Sequence, residues 1–468
     1  MKKIAILGAG PAGLAVAWTL KGKFEIDLYE RGKSLENRMK ESELDITSGF
    51  GGAGAFSDGK VTLSPQVGVN QQLLDLYGER EIAKQLQRVD KFFLAHGAPE
   101  GHIKSAEYPE DFKRQCRIAQ FSLIDKAAVR HIGTDAGHVV ISNILNELKN
   151  KVNVFCEVEV EVDSFNIIGD KIHLVAKFND GSTHAETYDY VIIAVGRSGA
   201  GWIKELYDAV NLPHTTGVVD VGVRIETKQE VFADFYNTLS YEPKLSMLSS
   251  FGERVRSFCC CLGNSGSTVA LESYKHLTDE HGNPLKLANG HSYSEGDDNH
   301  YTGNANLAIL VSLSLTEPFK DSIGYARSIG QMVNTLADGN LLVQSYRDLK
   351  KQRRSTDSRI LETGITPSLK EGWLPGDISL AIPPRIMTGI TEFIDGMSKL
   401  FPGVENCLMY ALEAKLYSNK AKIAGKDLHY VGYPNIFACG DGSGLTRALS
   451  AATMHGMLVA DKILEKES

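Results

Sequence analysis

Several features are missing from this 468-residue sequence, and each absence closes a route. Its seven cysteines, Cys116, Cys156, Cys259, Cys260, Cys261, Cys407 and Cys439, make no Cys-x-x-Cys pair and no even framework. Neither a disulfide scaffold nor a zinc site is indicated, which fits a reducing compartment, and a cytoplasmic location is expected. Positive charge is in deficit: 50 Lys and Arg against 58 Asp and Glu give 50 − 58 = −8, which argues against nucleic acid as a partner. The basic run Lys350-Lys351-Gln352-Arg353-Arg354 reads as a solvated helix face. Ile4–Leu20 carries no charge, but it is too short and too glycine-rich for a membrane span, so no membrane partner is expected. Lys2 and Lys3 before it imitate a signal peptide. Three glycines and a proline at regular spacing, followed by a strand ending in an acid, fit that reading poorly. No internal repeat or low-complexity segment is present.

What is present begins at Lys2–Arg31. An apolar run of strand type, Lys3–Leu7, leads into Gly8, Gly10 and Gly13 at the spacing G-x-G-x-x-G, and Pro11–Leu20 then reads as a helix. A second apolar run, Phe24–Tyr29, ends on Glu30 and is followed by Arg31. Gly8 permits the tight turn, Gly10 lets backbone approach a pyrophosphate, and Gly13 lets helix and strand pack closely. The helix start at Pro11 and Ala12 offers partial positive charge to that pyrophosphate, with unpaired N–H groups from Ala12 onward because proline has none. Glu30 is placed to accept hydrogen bonds from ribose hydroxyls. A dinucleotide site is expected here.

A second glycine cluster spans Ser48–Lys60, with Gly51, Gly52, Ala53, Gly54 and Ser57. So many small residues in succession mean backbone pressed against something flat or anionic. Helical periodicity covers Asn70–His96 and His138–Leu148, and strand-like runs occupy Asn153–Val162, Lys171–Phe178 and Tyr188–Ala194. The last of these runs into Gly196-Arg197, as a parallel strand facing a cofactor would. From about Gly217 the pattern alternates in β fashion, at Val218–Ile225, Val255–Leu262, Thr268–Leu271 and Ala305–Leu315.

The final stretch reads strand, loop, helix. Asn435–Cys439 precedes Gly440-Asp441-Gly442-Ser443-Gly444-Leu445-Thr446-Arg447, and Ala448–Leu464 is helical in pattern. A strand ending in Gly-Asp supplies a carboxylate for ribityl hydroxyls, and the helix after it points its positive end at a flavin. Paired with the N-terminal fingerprint, this segment favours FAD over NAD. The expected fold class is therefore α/β: a discontinuous Rossmann-like FAD-binding domain (parallel sheet plus β-meander) at 1–205 and 394–468, with an inserted β-rich α+β substrate or cap domain at 206–393.

With these residues in view, the sequence resembles the uncharacterised FAD-dependent dehydrogenases of the glutathione-reductase-like flavoprotein superfamily. The resemblance runs over nearly the whole chain. It is carried by Gly49–Lys60, Arg130-His131-Ile132-Gly133-Thr134-Asp135, Thr316-Glu317-Pro318-Phe319, Arg353-Arg354-Ser355-Thr356 and Gly440–Arg447. It implies an FAD cofactor and a redox activity, and it names no substrate.

Missing motifs narrow the chemistry further. No Trp-x-Trp-x-Ile-Pro segment of halogenase type occurs, and no second G-x-G-x-x-G follows a strand. NADH or NADPH, if it is the reductant, would have to enter the open active site. The expected activity is a dehydrogenase or reductase acting on a small organic molecule by hydride transfer at flavin N5. Two alternatives stand beside it: a flavin-binding protein with structural or sensory FAD and a macromolecular partner, and an FAD-dependent monooxygenase. His131 is the proton carrier expected by residue type, and Arg385, Arg353 and Arg354 are anion clamps. In Cys259-Cys260-Cys261, strand alternation would put Cys259 and Cys261 on one face, and packing is the expected role. The sequence leaves the oligomeric state open.

Overall fold

A computed structural model describes residues 1–40, 48–57, 59–100, 103–124, 127–215, 217–233, 243–261, 267–292, 301–313, 315, 321–416 and 419–468, with 103–106 and 275–276 described by backbone alone. Thr316–Phe319 and Asp58, both in segments that carried the resemblance, lie outside the described residues. The elements that position the site are, in chain order, β1 Lys3–Leu7, α1 Pro11–Leu20, β2 Glu25–Glu30, β3 Asn153–Cys156, β4 Tyr190–Ile193, β5 Val219–Lys228, β6 Arg254–Cys261, β7 Asn304–Leu313, β8 Leu408–Lys415, β9 Tyr433–Ala438 and α2 Leu449–Lys466.

The chain divides into two compact units. The first comprises 1–103, 129–217 and 417–468, and the second 104–128 and 218–416. The expected bounds were 205/206 and 393/394. Residues 394–416 sit with the second unit because β8 pairs there with β5. Segment 104–128 joins it too, its Ser122–Leu123 adding an edge to the same sheet.

The first unit is built on a six-stranded sheet in the order His429–Tyr430, β9, β4, β1, β2, β3. All neighbours are parallel except the first pair. Parallel strands need both faces covered, and β1 and β4 accordingly read as unbroken apolar runs, buried at nearly every position. A small antiparallel sheet of Val158–Val160, Asn166–Ile168, Lys171–Phe178 and Thr183–Tyr188 leads into β4. This is the discontinuous Rossmann-like domain with its meander. The run Asn153–Val162 divides in two at Glu157, whose φ of 58° breaks the strand, and the helix over Asn70–His96 divides at Gly78.

The second unit carries an eight-stranded sheet in the order Trp373–Pro375, Leu341–Ser345, β8, β5, β7, β6, Leu245–Leu248, Ser122–Leu123, antiparallel apart from its first pair. One face supplies Val219, Val221, Val223, Ile225, Ile309 and Val311 to an apolar core. The cysteine run departs from simple alternation. A register shift lies between Phe258 and Cys261, and Cys259 has a φ of 41°, so Cys259 and Cys261 are not related by the pleat. Cys260 packs in the core, and the seven cysteines are all free thiols.

Candidate functional site

The parallel sheet brings the three glycine-rich segments together. Ile4 pairs with Tyr190 and Val191 with Ile436, so the loops after β1, β4 and β9 leave the same edge of the sheet. They line a cavity of about 1080 Å³, counted with its open mouth. Of the sequence-derived residues, Gly8, Gly10, Pro11, Ala12, Glu30, Arg31, Gly52, Ala53, Gly196 and Asp441 line it.

The glycines divide into two kinds. Gly8 has a φ of 107°, and a Cβ there would meet the Ala194 carbonyl oxygen at 2.7 Å. A Cβ on Gly13 would lie 2.0 Å from the Gly8 carbonyl oxygen, so this position sets how closely α1 approaches β1. Those two serve the protein's own packing. At Gly10 and Gly196 a Cβ would touch no protein atom within 4 Å, yet both line the cavity. Their lack of a side chain leaves open space in the cavity.

The loop of Gly51, Gly52, Ala53 and Gly54 lies against the first fingerprint. Gly51 donates its N–H to the Ala9 carbonyl at 2.8 Å, while Cβ atoms on Gly52 and Gly54 would approach Gly10 Cα at 3.1 Å and Pro11 Cγ at 2.8 Å. Ser57 receives the Gly59 N–H at 3.4 Å and is a turn residue. Glu30 is occupied within the protein. Its Oε2 accepts from the Ala9 N–H at 2.9 Å, and its Oε1 from the N–H groups of Gly32 at 2.8 Å and Gly49 at 3.2 Å. A carboxylate has about four lone-pair sites, which leaves Oε2 with capacity for a hydroxyl. Arg31 donates to the Ser198 carbonyl at 3.2 Å.

Asp441 is enclosed by protein on most sides and opens onto the cavity. Burial raises its carboxyl above the ordinary value, against the charges of Arg197 and Arg447 and the Thr446 hydroxyl, which donates at 3.3 Å. Gly440 places β9 beside Ala12, and Gly444, at a φ of 71°, turns against the Lys420 backbone. Leu445 accepts the Asn70 N–H, and the Arg447 N–H goes to the Gly68 carbonyl. These four shape the loop and do not line the cavity. Two helices begin at its wall. Neither α1, with Gly10 before it, nor α2, with Ala448 before it, has a side-chain cap, and Pro11, Ala12, Ala448 and Leu449 line the cavity. Two helix starts without side-chain caps leave backbone N–H groups at its wall, an arrangement that suits an anionic group.

None of the proposed acid–base and anion residues is in the lining of this cavity. His131 pairs with Lys60 across two short strands, half-buried and outside the cavity lining. Its neighbour Arg130 is structural: it grips Asp90 through two nitrogens at 2.6 and 2.9 Å and donates to the carbonyls of Pro99 and Glu100. In the second unit Arg385 is held by Glu253 and lies over the Phe251 ring. Arg353 pairs with Asp348, and Arg354 is exposed. Sequence reasoning passed over Arg38. That side chain is 2% exposed and donates to the carbonyls of Phe50 at 2.7 Å, Gly52 at 3.0 Å and Gly49 at 3.4 Å. Its signal, an arginine ten residues before a glycine cluster, is not distinctive.

No family model matches this chain. It is 26% identical over 500 aligned positions to an uncharacterised protein of Clostridium beijerinckii, covering 98% of this chain and 80% of that protein. Solved structures similar to it include a flavoprotein/dehydrogenase from Cytophaga hutchinsonii, with a TM-score of 0.42 and 10% identity over 100% of this chain and 79% of that one. Glycine oxidase from Geobacillus kaustophilus gives 0.41 and 11%, over 100% of this chain and 96% of that one. Glycerol-3-phosphate dehydrogenase from Bacillus halodurans, complexed with FAD, gives 0.40 and 11%, over 100% and 64%. Among the described residues no helix is long and apolar enough to cross a membrane, and no group of His, Cys, Asp and Glu could hold a metal ion.

Proposed function

We propose that this chain is an FAD-dependent oxidoreductase acting on a small organic substrate. One observation carries the reading: loops from three distant parts of the sequence meet at one cavity that has two helix starts without side-chain caps, two glycines open to the ligand space and a buried acid. A nicotinamide dinucleotide needs only the first loop. The closing Gly440–Arg447 segment and Asp441 suit the longer flavin dinucleotide.

In this reading the N–H groups at the starts of α1 and α2 hold the diphosphate, and Gly10 lets it approach the backbone. Asp441 accepts from the ribityl hydroxyls, and Oε2 of Glu30 from the adenosine ribose. Bound FAD would supply hydride exchange at N5. His131, which does not line the cavity, is proposed as proton carrier on residue type alone. Arg385 spends its guanidinium on Glu253, so the proposal gives it no substrate contact.

The purified protein should be yellow or take up FAD. Anaerobic addition of NADH, NADPH or candidate substrates should then bleach the flavin absorbance, and admitting oxygen should restore it. Flavin reduced by none of them would point to a structural or sensory cofactor. Hydroxylated product on admission of oxygen would point to a monooxygenase. A colourless protein that cannot be reconstituted with FAD would end all three readings.

A further inference from the structure

Two side chains of opposite charge divide the hydrogen-bonding groups of the cavity loops between them. Glu30 collects N–H donors, from Ala9, Gly32 and Gly49. Arg38 collects carbonyls, from Gly49, Phe50 and Gly52. Gly49 is gripped from both sides, its N–H by the acid and its carbonyl by the base. The Arg38 guanidinium also lies 4.4 Å over the Phe56 ring, which stacks nearly parallel, at 14°, with the imidazole of His138. Gly49 itself has a φ of 102°, and a Cβ there would sit 2.6 Å from the Arg38 side chain. The loop and the arginine are fitted to each other.

A segment with glycines at 49, 51, 52 and 54 has more backbone freedom to lose than most. Left to itself it would sample many conformations, and a ligand would have to order it on binding. We propose that Arg38 is a positioning residue that pre-orders the Gly49–Ala55 loop over Gly10 and Pro11, and so sets how slowly the cofactor leaves without touching it. The proposal rests on the FAD reading for its ligand and on the hydrogen bonds above for its mechanism. All three carbonyls converge on one guanidinium nitrogen, Nη1, while the group lies over the Phe56 ring. A lysine ammonium is a compact point charge, with no plane to lay on that ring while it holds the same carbonyls. Lysine should therefore fail where arginine works.

Two measurements on Arg38→Lys and Arg38→Ala test this, with the exposed Lys40→Ala as control. The first is amide hydrogen exchange of the FAD-free proteins. Both Arg38 variants should exchange faster at Gly49–Ala55, with β4 and α2 as protected as in the wild type, and Lys40→Ala should match the wild type throughout. Unchanged exchange in the loop overturns the proposal. So does an equal rise across β4 and α2, because that marks a general structural role. The second is FAD release on dilution into apoprotein scavenger. Release should accelerate by about tenfold to a hundredfold in both variants, the range expected when charge-assisted hydrogen bonds are lost. Release at the wild-type rate overturns the proposal. If the wild-type protein binds no FAD, the functional reading falls, and the exchange measurement still decides whether Arg38 orders the loop.

Discussion

Gly10 and Gly13 sit three residues apart in one motif and answer to different masters. Gly10 has a φ of −76°, which any residue adopts, and its missing side chain faces the open cavity. Gly13 meets the Gly8 carbonyl and belongs to the fold. Gly10→Ala should leave the stability of the FAD-free protein within about 0.5 kcal/mol of wild type, as a substitution away from packed features does. It should weaken FAD binding at least about tenfold. Gly13→Ala should cost about 1–3 kcal/mol through overpacking before any cofactor is added. Urea unfolding of the FAD-free proteins, with FAD titration alongside, separates the two. Equal destabilisation by both would mean that Gly10 also serves packing. The motif was legible because its spacing states a geometry. Arg38 was not, because its purpose depends on carbonyls more than ten residues later, which no local pattern records.

At the level of elements, β1, β2, β4, β9 and both helices of the site could be read from apolar runs and glycine stops. Breaks inside runs could not. Gly78 and Glu157 take positive φ in stretches whose periodicity continues across them. The alternation Val-Asp-Val-Gly-Val-Arg-Ile-Glu in β5 suggests one dry face and one wet face. Yet Asp220, Arg224 and Glu226 are fully buried, and Gly290 of a neighbouring hairpin lies against the Arg224 guanidinium. A sequence pattern reports polarity, and here polarity and exposure part company. Helix α2 shows the same separation. It is buried on nearly every side and carries His455, whose two ring nitrogens find no hydrogen-bond partner among the described residues. Burial pushes the imidazole down from 6.5 to about 4. The unfolded chain then takes up a proton near pH 6.5 that the folded chain refuses. Stability is full above that pH and falls as pH drops toward 4, by about 3 kcal/mol at most. His455→Gln should flatten this part of a pH series of urea unfolding curves. An unchanged slope would place the loss in other groups.

On the scale of the whole molecule, the two units have separate apolar cores. The second also holds a buried ion cluster. Arg224 meets Glu413 at 2.7 and 3.1 Å, and Lys415 reaches the same carboxylate at 2.7 Å. Burial raises the Glu413 carboxyl, but Arg224 and Lys415 outweigh it and hold the group below its ordinary value. Glu413→Gln would leave two buried cations without their counter-charge, at a cost of about 3–5 kcal/mol. Calorimetry should resolve more than one transition. FAD should raise the one that belongs to the first unit, and Glu413→Gln should lower the other. A single transition moved by both would show that the units unfold together.

The pairing of β4 with β9 has a consequence for how the protein is made. Val191 pairs with Ile436 although residues 218–416 separate them in sequence, and the strand beside the N-terminal fingerprint gains its second neighbour only when 433–438 have been synthesised. Until then the six-stranded sheet lacks two of its strands, and Asp441 does not yet exist. A ribosome-bound chain can finish its second unit first, because 218–416 are complete by that point and need nothing that follows them in their own sheet. Contacts this far apart in sequence form slowly. On the proposed function, cofactor capture therefore follows the synthesis of β9, and a message truncated before it would yield a protein with the whole sequence of its second unit but without β9 and Asp441.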